Sequence, residues 1–286
     1  MSEAVEIVEV GPRDGLQNEA SAISVKSRVA LVDALSVVGF RRIEVGSFVS
    51  PKWVPQMARS GEVFAGISRI DGVSYAALTP NLQGFHDAVA AQADEIAVFA
   101  SASEGFSRAN INASVSESLE RFRPVVKEAA NVGLPVRGYV SCVVDCPYDG
   151  AVAPDAAAHV VGELLEMGVY EVSLGDTLGR GVPKRIDAML EAVLRVAHAD
   201  QLAGHFHDTA GRALENTGVA LARGLRVFDA AVGGLGGCPY APGAAGNVST
   251  AALAGYLTAN GYAHGLDLGA LEAAEELALK LRESTL

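Results

Sequence analysis

The feature that most constrains the fold of this 286-residue chain is the alternation of short β-rich runs with longer helical patterns. Helical periodicity fills most of the gaps between these runs, for example at Val25–Val38, Val115–Asn131, Asp155–Met167 and Pro183–Ala197. Such alternation predicts a parallel sheet, with a helix crossing over between successive strands. We expect eight strands, at Val5–Val10, Arg42–Phe48, Ser74–Thr79, Glu95–Ser101, Pro135–Val144, Glu171–Asp176, Leu202–Asp208 and Val227–Val232.

Eight strand–helix units in a chain of this length predict a closed (β/α)₈ TIM barrel. The alternative is a doubly wound open sheet, which would usually carry a Gly-x-Gly-x-x-Gly fingerprint after its first strand. Here Gly11–Gly15 follows the first strand, and neither this turn nor the later run Gly233–Gly237 has that spacing. We therefore expect one α/β domain, with the barrel at about 5–260 and a C-terminal helical extension at about 261–286.

Composition narrows the class of function. The chain has 22 basic and 34 acidic residues, a net charge of −12, which disfavours nucleic-acid binding. Three cysteines do not make a disulfide framework and suit a reducing compartment. No apolar run reaches the roughly 18 residues of a membrane span, and a strand pattern beginning near Val5 leaves no room for a targeting peptide. We expect a cytoplasmic protein that does not enter a membrane.

Two histidines stand at the end of the predicted seventh strand. His205 and His207 are two residues apart, so their side chains point to the same side of the strand. Barrel enzymes place their chemistry at this end of the strands, and two imidazoles there predict a metal pair. Asp14, at the end of the first strand, offers a hard oxygen ligand. The alternative is a pair of hydrogen-bonded histidines in a polar barrel lining.

Other charged residues lie in or just beyond the predicted strands. Arg13 offers a fixed positive fork for a carbonyl or carboxylate oxygen, although a surface pair with Asp14 is the alternative. Glu44 lies between Ile and Val in a buried strand and needs a partner such as Arg13 or a histidine. Glu9 raises the same question, and we favour a structural role. Asp176 could bind metal, orient a histidine or cap a helix, and a supporting role is favoured.

A glycine-rich loop, Gly236–Asn247, follows the predicted eighth strand and contains Cys238. Its glycines permit unusual backbone dihedrals and close approach to a ligand. Cys238 is therefore a candidate acid, base or nucleophile. Cys142 and Cys146 fit no common zinc pattern, and we interpret both as structural.

Several long blocks resemble the hydroxymethylglutaryl-CoA lyase family. Val8–Glu19 is similar to the opening of that family, and Gly237–Tyr240 resembles its catalytic-cysteine signature. Ser47–Gln56, Ser173–Thr177 and His205–Thr209 are similar to further blocks, so that the resemblance covers nearly the whole chain.

The resemblance implies a barrel that binds a divalent cation, Mg²⁺ or Mn²⁺. It implies four metal ligands: Asp14, His205, His207 and Asn247. It implies that Arg13 contacts the substrate carbonyl and that Cys238 carries a catalytic proton. Supporting roles toward substrate or metal would fall to Glu44, Gln17, Ser47, Asp176 and Thr177.

The implied reaction is the cleavage of 3-hydroxy-3-methylglutaryl-CoA into acetyl-CoA and acetoacetate, a step of leucine degradation and ketone-body formation. The ion would chelate the C3 hydroxyl and the free carboxylate of the substrate. His205 would take the hydroxyl proton, Arg13 would stabilise the thioester oxygen, and Cys238 would protonate the enolate carbon. The partner is a small acyl-CoA, and we expect a homodimer.

Other functions remain open from the sequence. Ala20 and Arg180 depart from the animal members of the family, which leaves a longer 3-hydroxy-3-methyl acyl-CoA as a possible substrate.

A condensing enzyme related to isopropylmalate or homocitrate synthase would typically carry a Gly-Glu-Arg turn near the eighth strand. A biotin-dependent carboxyltransferase would need a lysine suited to carbamylation, and a non-catalytic metal or CoA binding protein is the last alternative. Lys52 and Arg108 are candidate contacts for the CoA.

Overall fold

Eight parallel strands close into a barrel in the computed structural model, which describes residues 2–19, 23–238 and 241–283. Each strand pairs with the next along the chain, and the eighth pairs with the first. The strands are β1 Glu6–Glu9, β2 Arg42–Ser47, β3 Ser74–Leu78, β4 Glu95–Ser101, β5 Val136–Ser141, β6 Glu171–Asp176, β7 Leu202–Phe206 and β8 Val227–Ala230. The predicted barrel is confirmed, and each predicted strand overlaps an observed one.

Helices surround the barrel and connect its strands. Within the described residues they are α1 Val25–Ser36, α2 Ser60–Gly66, α3 Leu82–Ala90, α4 Glu104–Ile111, α5 Val115–Val132, α6 Pro154–Met167, α7 Pro183–Val193, α8 Ala213–Ala222, α9 Thr250–Ala259 and α10 Leu268–Glu283. Helix α7 ends four residues before the predicted Ala197. Across the described part of the chain, no helix combines the length and the apolar character that crossing a membrane requires.

Helix α5, the longest among the described residues, shows why these segments begin and end where they do. The Ser114 hydroxyl accepts a hydrogen bond from the Glu117 amide at 3.1 Å, and the Glu117 carboxylate accepts one from the Ser114 amide at 2.7 Å. This capping box satisfies amides that the first helical turn leaves free. At the other end, Gly133 has φ of 72°, a left-handed conformation that terminates the helix.

The two faces of the barrel strands differ in chemistry. In β6, Val172 and Leu174 are buried in the apolar layer beneath the helices. Ser173, between them, hydrogen-bonds instead to Asp229 of β8. Since β6 and β8 are not neighbours in the barrel, this bond crosses the interior. The inside of the barrel therefore holds polar and charged side chains, and the main apolar core lies between the strands and the helices.

We expect Ser114→Ala to lower the free energy of unfolding by about 1 kcal/mol, the typical value of an N-cap hydroxyl. Ser116→Ala is the matched control, because Ser116 is exposed in the first turn of the same helix and a surface change away from such features usually stays within about 0.5 kcal/mol. Urea unfolding of both variants measures the difference. Equal stabilities would show that the capping box does not stabilise α5.

Candidate metal centre and active site

Side chains from three parts of the chain converge at the carboxyl end of the barrel. His205 lies in β7 and His207 just beyond it, while Asp14 lies in the turn that follows β1. Their potential ligand atoms all lie within 4.8 Å of one another. Asn247 joins them, because its Nδ2 donates to Asp14 Oδ2 at 2.9 Å and to the Leu235 carbonyl at 3.2 Å. These bonds use the side-chain nitrogen, so Oδ1 is the candidate ligand atom of Asn247.

The turn that carries Arg13 and Asp14, Gly11–Gly15, is a single tight π-helical turn. Glu9 anchors it: one carboxylate oxygen accepts the amides of Gly11 at 2.8 Å and Val232 at 2.9 Å, and the other accepts the Thr250 hydroxyl at 2.7 Å. A Cβ on Gly11 would lie only 2.6 Å from Glu9 Oε1, so this approach requires glycine. These contacts favour the structural role predicted for Glu9.

The donor set fits a divalent cation. The Nε2 atoms of His205 and His207 lie 3.2 Å apart, and two imidazole lone pairs at that distance repel each other unless a proton or a cation lies between them. Burial lowers the pKa of His207, and the neighbouring His205 lowers it further, to about 4. Burial alone would raise the pKa of Asp14, but Arg13 and His205 lower it to about 2. At neutral pH these two groups therefore hold the protonation states that metal ligands need.

The other nitrogen of His205 meets a residue that the sequence interpretation missed. Nδ1 lies 3.0 Å from Oδ2 of Asp229, which is buried in β8. Burial would raise the pKa of Asp229, but Arg137 and His205 outweigh it and hold the pKa below its usual range. The signal was available, because Asp229 lies between Phe228 and Ala230 in a strand, as Glu44 lies between apolar neighbours.

Arg13 is held by partners on several sides. Its Nε and Nη2 contact Glu44 Oε2 at 2.6 Å, and Nη1 contacts Asp14 Oδ1 at 2.5 Å. The guanidinium lies over the ring of Tyr139, 5.2 Å from its centroid, and the Tyr139 hydroxyl donates to Glu44 at 3.1 Å. Glu44 Oε1 is buried and has no hydrogen-bond partner among the described residues. Arg13 is thus the partner that the sequence predicted for Glu44.

The remaining predicted residues are divided between the centre and its surroundings. Gln17 belongs to the centre, since its amide donates to Asp14 Oδ1 at 2.9 Å. Ser47 is buried and accepts from the Val49 amide, and Thr177 accepts from the Cys142 amide. Asp176 accepts from the Gly181 amide at 2.8 Å. Gly181 lies in the loop before α7, and the N-cap of that helix, Val182, has no side-chain cap hydrogen bond, so Asp176 orders this loop and does not cap the helix.

The two basic residues suggested as CoA contacts are exposed. Lys52 lies over the Trp53 ring at 5.6 Å, and Arg108 pairs with Glu104 at 3.7 Å. Neither contact tests a role in CoA binding, which stays a prediction for both residues.

The three cysteines are placed differently. Cys142 and Cys146 are free and buried, in keeping with a structural role. The backbone of Cys238 belongs to a short hairpin in which Gly237–Cys238 pairs with Ala241–Ala245. Its side chain, and all of Pro239 and Tyr240, lie outside the described residues, so the catalytic role of Cys238 stays a prediction.

Comparison with known proteins places this geometry in a family. The family model described as HMGL-like matches residues 4–278. The chain belongs to the HMGL-like family. Among curated members it is 55% identical to the hydroxymethylglutaryl-CoA lyase of Pseudomonas mevalonii, over 94% of this chain and 89% of that protein. It is 58% identical to a Pseudomonas aeruginosa protein named 3-hydroxy-3-isohexenylglutaryl-CoA/hydroxy-methylglutaryl-CoA lyase, over 86% of this chain and 82% of that one.

Solved structures of this HMGL-like family have the same architecture. The HMG-CoA lyase from Brucella melitensis superposes with a TM-score of 0.98 at 58% identity and covers 99% of this chain and 100% of its own. More distant barrels share the fold alone: the carboxyl transferase domain of Rhizobium etli pyruvate carboxylase has a TM-score of 0.72 at 16% identity, over 99% of this chain and 48% of that one. The barrel prediction and the family resemblance are both confirmed.

Glu9 generates a prediction about pH. Burial raises its pKa in the folded protein from 4.5 to about 7, with a smaller contribution from Glu275. The unfolded chain releases this proton at lower pH, so the contribution of Glu9 to stability is complete below pH 4.5 and is lost as pH rises to about 7. In the wild type, this loss lowers the free energy of unfolding by on the order of 3 kcal/mol. We expect Glu9→Gln, which keeps an acceptor but cannot ionise, to remove that decline.

Urea unfolding at pH 5 and pH 7.5 measures this effect. Glu62→Gln is the control, because Glu62 is half exposed in a surface pair with Arg59 and should leave the wild-type pH dependence unchanged. If Glu9→Gln kept the same decline, another buried group would be responsible for it.

Proposed function

We propose that this chain is a carbon–carbon lyase that cleaves 3-hydroxy-3-methylglutaryl-CoA into acetyl-CoA and acetoacetate with the help of a divalent metal. The observation that carries the proposal is the convergence of Asp14, His205 and His207 on one point, with the buried cation of Arg13 in contact with Asp14. Two relatives that match nearly the whole chain carry the same activity in their names. A further family member was solved with coenzyme A and 3-methylmalate, at 36% identity and a TM-score of 0.92, over 98% of this chain and 92% of that one.

The metal would be held by Asp14, His205 and His207, with the side-chain oxygen Oδ1 of Asn247 as a fourth ligand. Mixed oxygen and imidazole donors suit Mn²⁺ and also accommodate Mg²⁺. When bound, such an ion polarises substrate oxygens and makes a coordinated hydroxyl more acidic. The amide of Asn247 already donates to Asp14, so this residue also fixes the orientation of the carboxylate.

Arg13 supplies positive charge where the reaction develops negative charge. Cleavage leaves the electrons of the broken bond on the acetyl-CoA fragment as an enolate, whose charge rests on the thioester oxygen. Glu44 and Tyr139 hold the guanidinium in place before the substrate arrives. A donor fixed in advance stabilises the transition state without the cost of reorganisation.

The proton of the C3 hydroxyl needs an acceptor, for which His205 was predicted. Only Nε2 of His205 faces the cluster, because Nδ1 hydrogen-bonds to Asp229. Metal binding and proton acceptance would therefore use the same atom in succession rather than together. Glu44 Oε1, buried without a hydrogen-bond partner among the described residues, is the second acceptor that the geometry offers.

Substrate breadth is a separate proposal. The Pseudomonas aeruginosa relative is named for a substrate with an isohexenyl group as well as for the methyl compound. We infer that a larger C3 substituent is a second candidate for this chain. Measuring the turnover of 3-hydroxy-3-methylglutaryl-CoA and of its isohexenyl analogue decides which of these two substrates the chain prefers.

A homodimer and a cytoplasmic location also stay proposals. Relatives of similar identity include a lyase named cytoplasmic from Mus musculus, at 50%, and one named mitochondrial from Bos taurus, at 52%. Membership of the family therefore does not decide the compartment.

We expect Arg13→Met to lower kcat by about 10²–10³, the range typical of losing one oxyanion donor, while Mn²⁺ affinity changes little. Arg13→Lys should recover part of kcat, because it restores the charge without the planar fork. Arg123→Met, which removes an exposed cation on α5, is the matched control. A near-normal kcat in Arg13→Met, with its fold verified by circular dichroism, would show that Arg13 only positions its neighbours.

We expect Cys238→Ser to lower kcat by about 10²–10⁴, the usual contribution of a positioned acid or base. The lyase must hand a proton to the enolate carbon, and a serine hydroxyl is a much weaker acid than a thiol. Alkylation of the native protein should abolish lyase activity. The effect should come from Cys238, because Cys142 and Cys146 are buried and protected.

Two controls accompany this experiment. The Cys238→Ser variant should be insensitive to the alkylating reagent, and a bound substrate analogue should protect the wild type. Full lyase activity in Cys238→Ser would assign the acid to another group.

A further inference from the structure

The two ring nitrogens of His205 face two different environments. Nε2 points into the cluster with His207 and Asp14, and Nδ1 points down the barrel toward Asp229 at 3.0 Å. A neutral imidazole carries its proton on one nitrogen only. A hydrogen-bond acceptor beside Nδ1 therefore holds the proton on Nδ1 and leaves the lone pair of Nε2 free.

Asp229 is fixed by residues on the far side of the barrel interior. Its Oδ1 accepts from Arg137 Nη2 at 2.8 Å, and its Oδ2 accepts from the Ser173 hydroxyl at 2.7 Å. The carboxylate is therefore divided: one oxygen faces Arg137, and the other faces Ser173 and His205. All three partners are buried, so water does not compete for these bonds.

Arg137 is itself held by further partners. Its Nε donates to Glu171 at 2.7 Å and its Nη1 donates to the Tyr139 hydroxyl at 3.0 Å. Glu171 accepts in turn from Arg42, which also pairs with Glu6 at the start of β1. A continuous series of ion pairs thus runs from the amino end of the barrel to His205.

We propose that Asp229 is a positioning residue of the metal centre: it keeps the proton of His205 on Nδ1, so that the Nε2 lone pair is directed at the ion. Arg137 and Ser173 orient the carboxylate for this purpose. The proposal rests on the proposed function, because it requires that the cluster bind a metal. Partners of this kind orient a ligating histidine, and their loss typically weakens metal binding about 10–100-fold.

A merely structural role for Asp229 makes a different prediction. If Asp229 only balanced the charge of Arg137, an uncharged replacement would affect stability and leave the tautomer of His205 as it is. Asp229→Asn separates the two roles. The arginine can only donate, so the amide oxygen of the asparagine must face Arg137 and the amide NH₂ must face His205. Nδ1 then becomes an acceptor, and the proton moves to Nε2.

The experiment measures Mn²⁺ binding by titration calorimetry. It measures the His205 tautomer by ¹⁵N NMR of the metal-free protein at a pH where the ring is neutral, because burial would lower the pKa of His205 but the hydrogen bond to Asp229 and its charge outweigh burial and raise that pKa. We expect Asp229→Asn to weaken Mn²⁺ binding about 10–100-fold and to move the His205 proton from Nδ1 to Nε2. Asp187→Asn is the matched control, since Asp187 also pairs with an arginine, Arg223, but at the surface. It should change neither measurement.

Ser173→Ala keeps every charge and removes one donor to Asp229 Oδ2, and we expect Mn²⁺ binding about 2–10-fold weaker, the range of one hydrogen bond. This milder variant decides the question if Asp229→Asn does not fold: unchanged affinity in a folded Ser173→Ala then overturns the proposal. A folded Asp229→Asn with wild-type affinity or an unchanged tautomer also overturns it, while the proposed function stands. If the wild type binds no Mn²⁺, the metal centre itself, and with it the proposed function, is wrong.

Discussion

Several charged side chains lie buried inside this barrel, where water cannot solvate them, so each must be neutralised by another side chain. Arg13 meets Glu44 and Asp14, and Arg137 meets Asp229 and Glu171. Removing one partner from such a pair costs about 3–5 kcal/mol, because a buried charge is left uncompensated. This requirement fixes side chains from different strands relative to one another. The candidate active site lies where the same network reaches the carboxyl end of the barrel.

The network explains how a site at the loop end of the barrel can be held rigidly. Its side chains stand on strands or on turns tied to strands, as the turn of Asp14 is tied by Glu9. Rigid support of this kind holds catalytic groups near their productive geometry before the substrate binds. The binding free energy of the substrate can then go to the transition state rather than to ordering the protein.

The fold and the centre of the site could be predicted because both follow from local patterns. β-Branched runs marked the strands, and the two-residue spacing of His205 and His207 put both imidazoles on one side. The partners of those residues could not be predicted in the same way. Arg137 and Asp229 lie 92 positions apart, and a charged residue in a strand shows that a partner is needed without showing which one. The tight turn at Gly11–Gly15 was also missed, because five residues carry too little periodicity to reveal a helical turn.

The sequence positions of the candidate metal ligands have a consequence for biosynthesis. Asp14 is translated well before His205, His207 and Asn247. The carboxylate of Glu9 likewise has no hydroxyl partner until Thr250, 241 positions later, has been added. A nascent chain on the ribosome therefore lacks the complete ligand set until most of the barrel has emerged. Metal loading at this candidate centre would consequently be a late step of maturation, and a prematurely terminated chain carries Arg13 and Asp14 without the histidines.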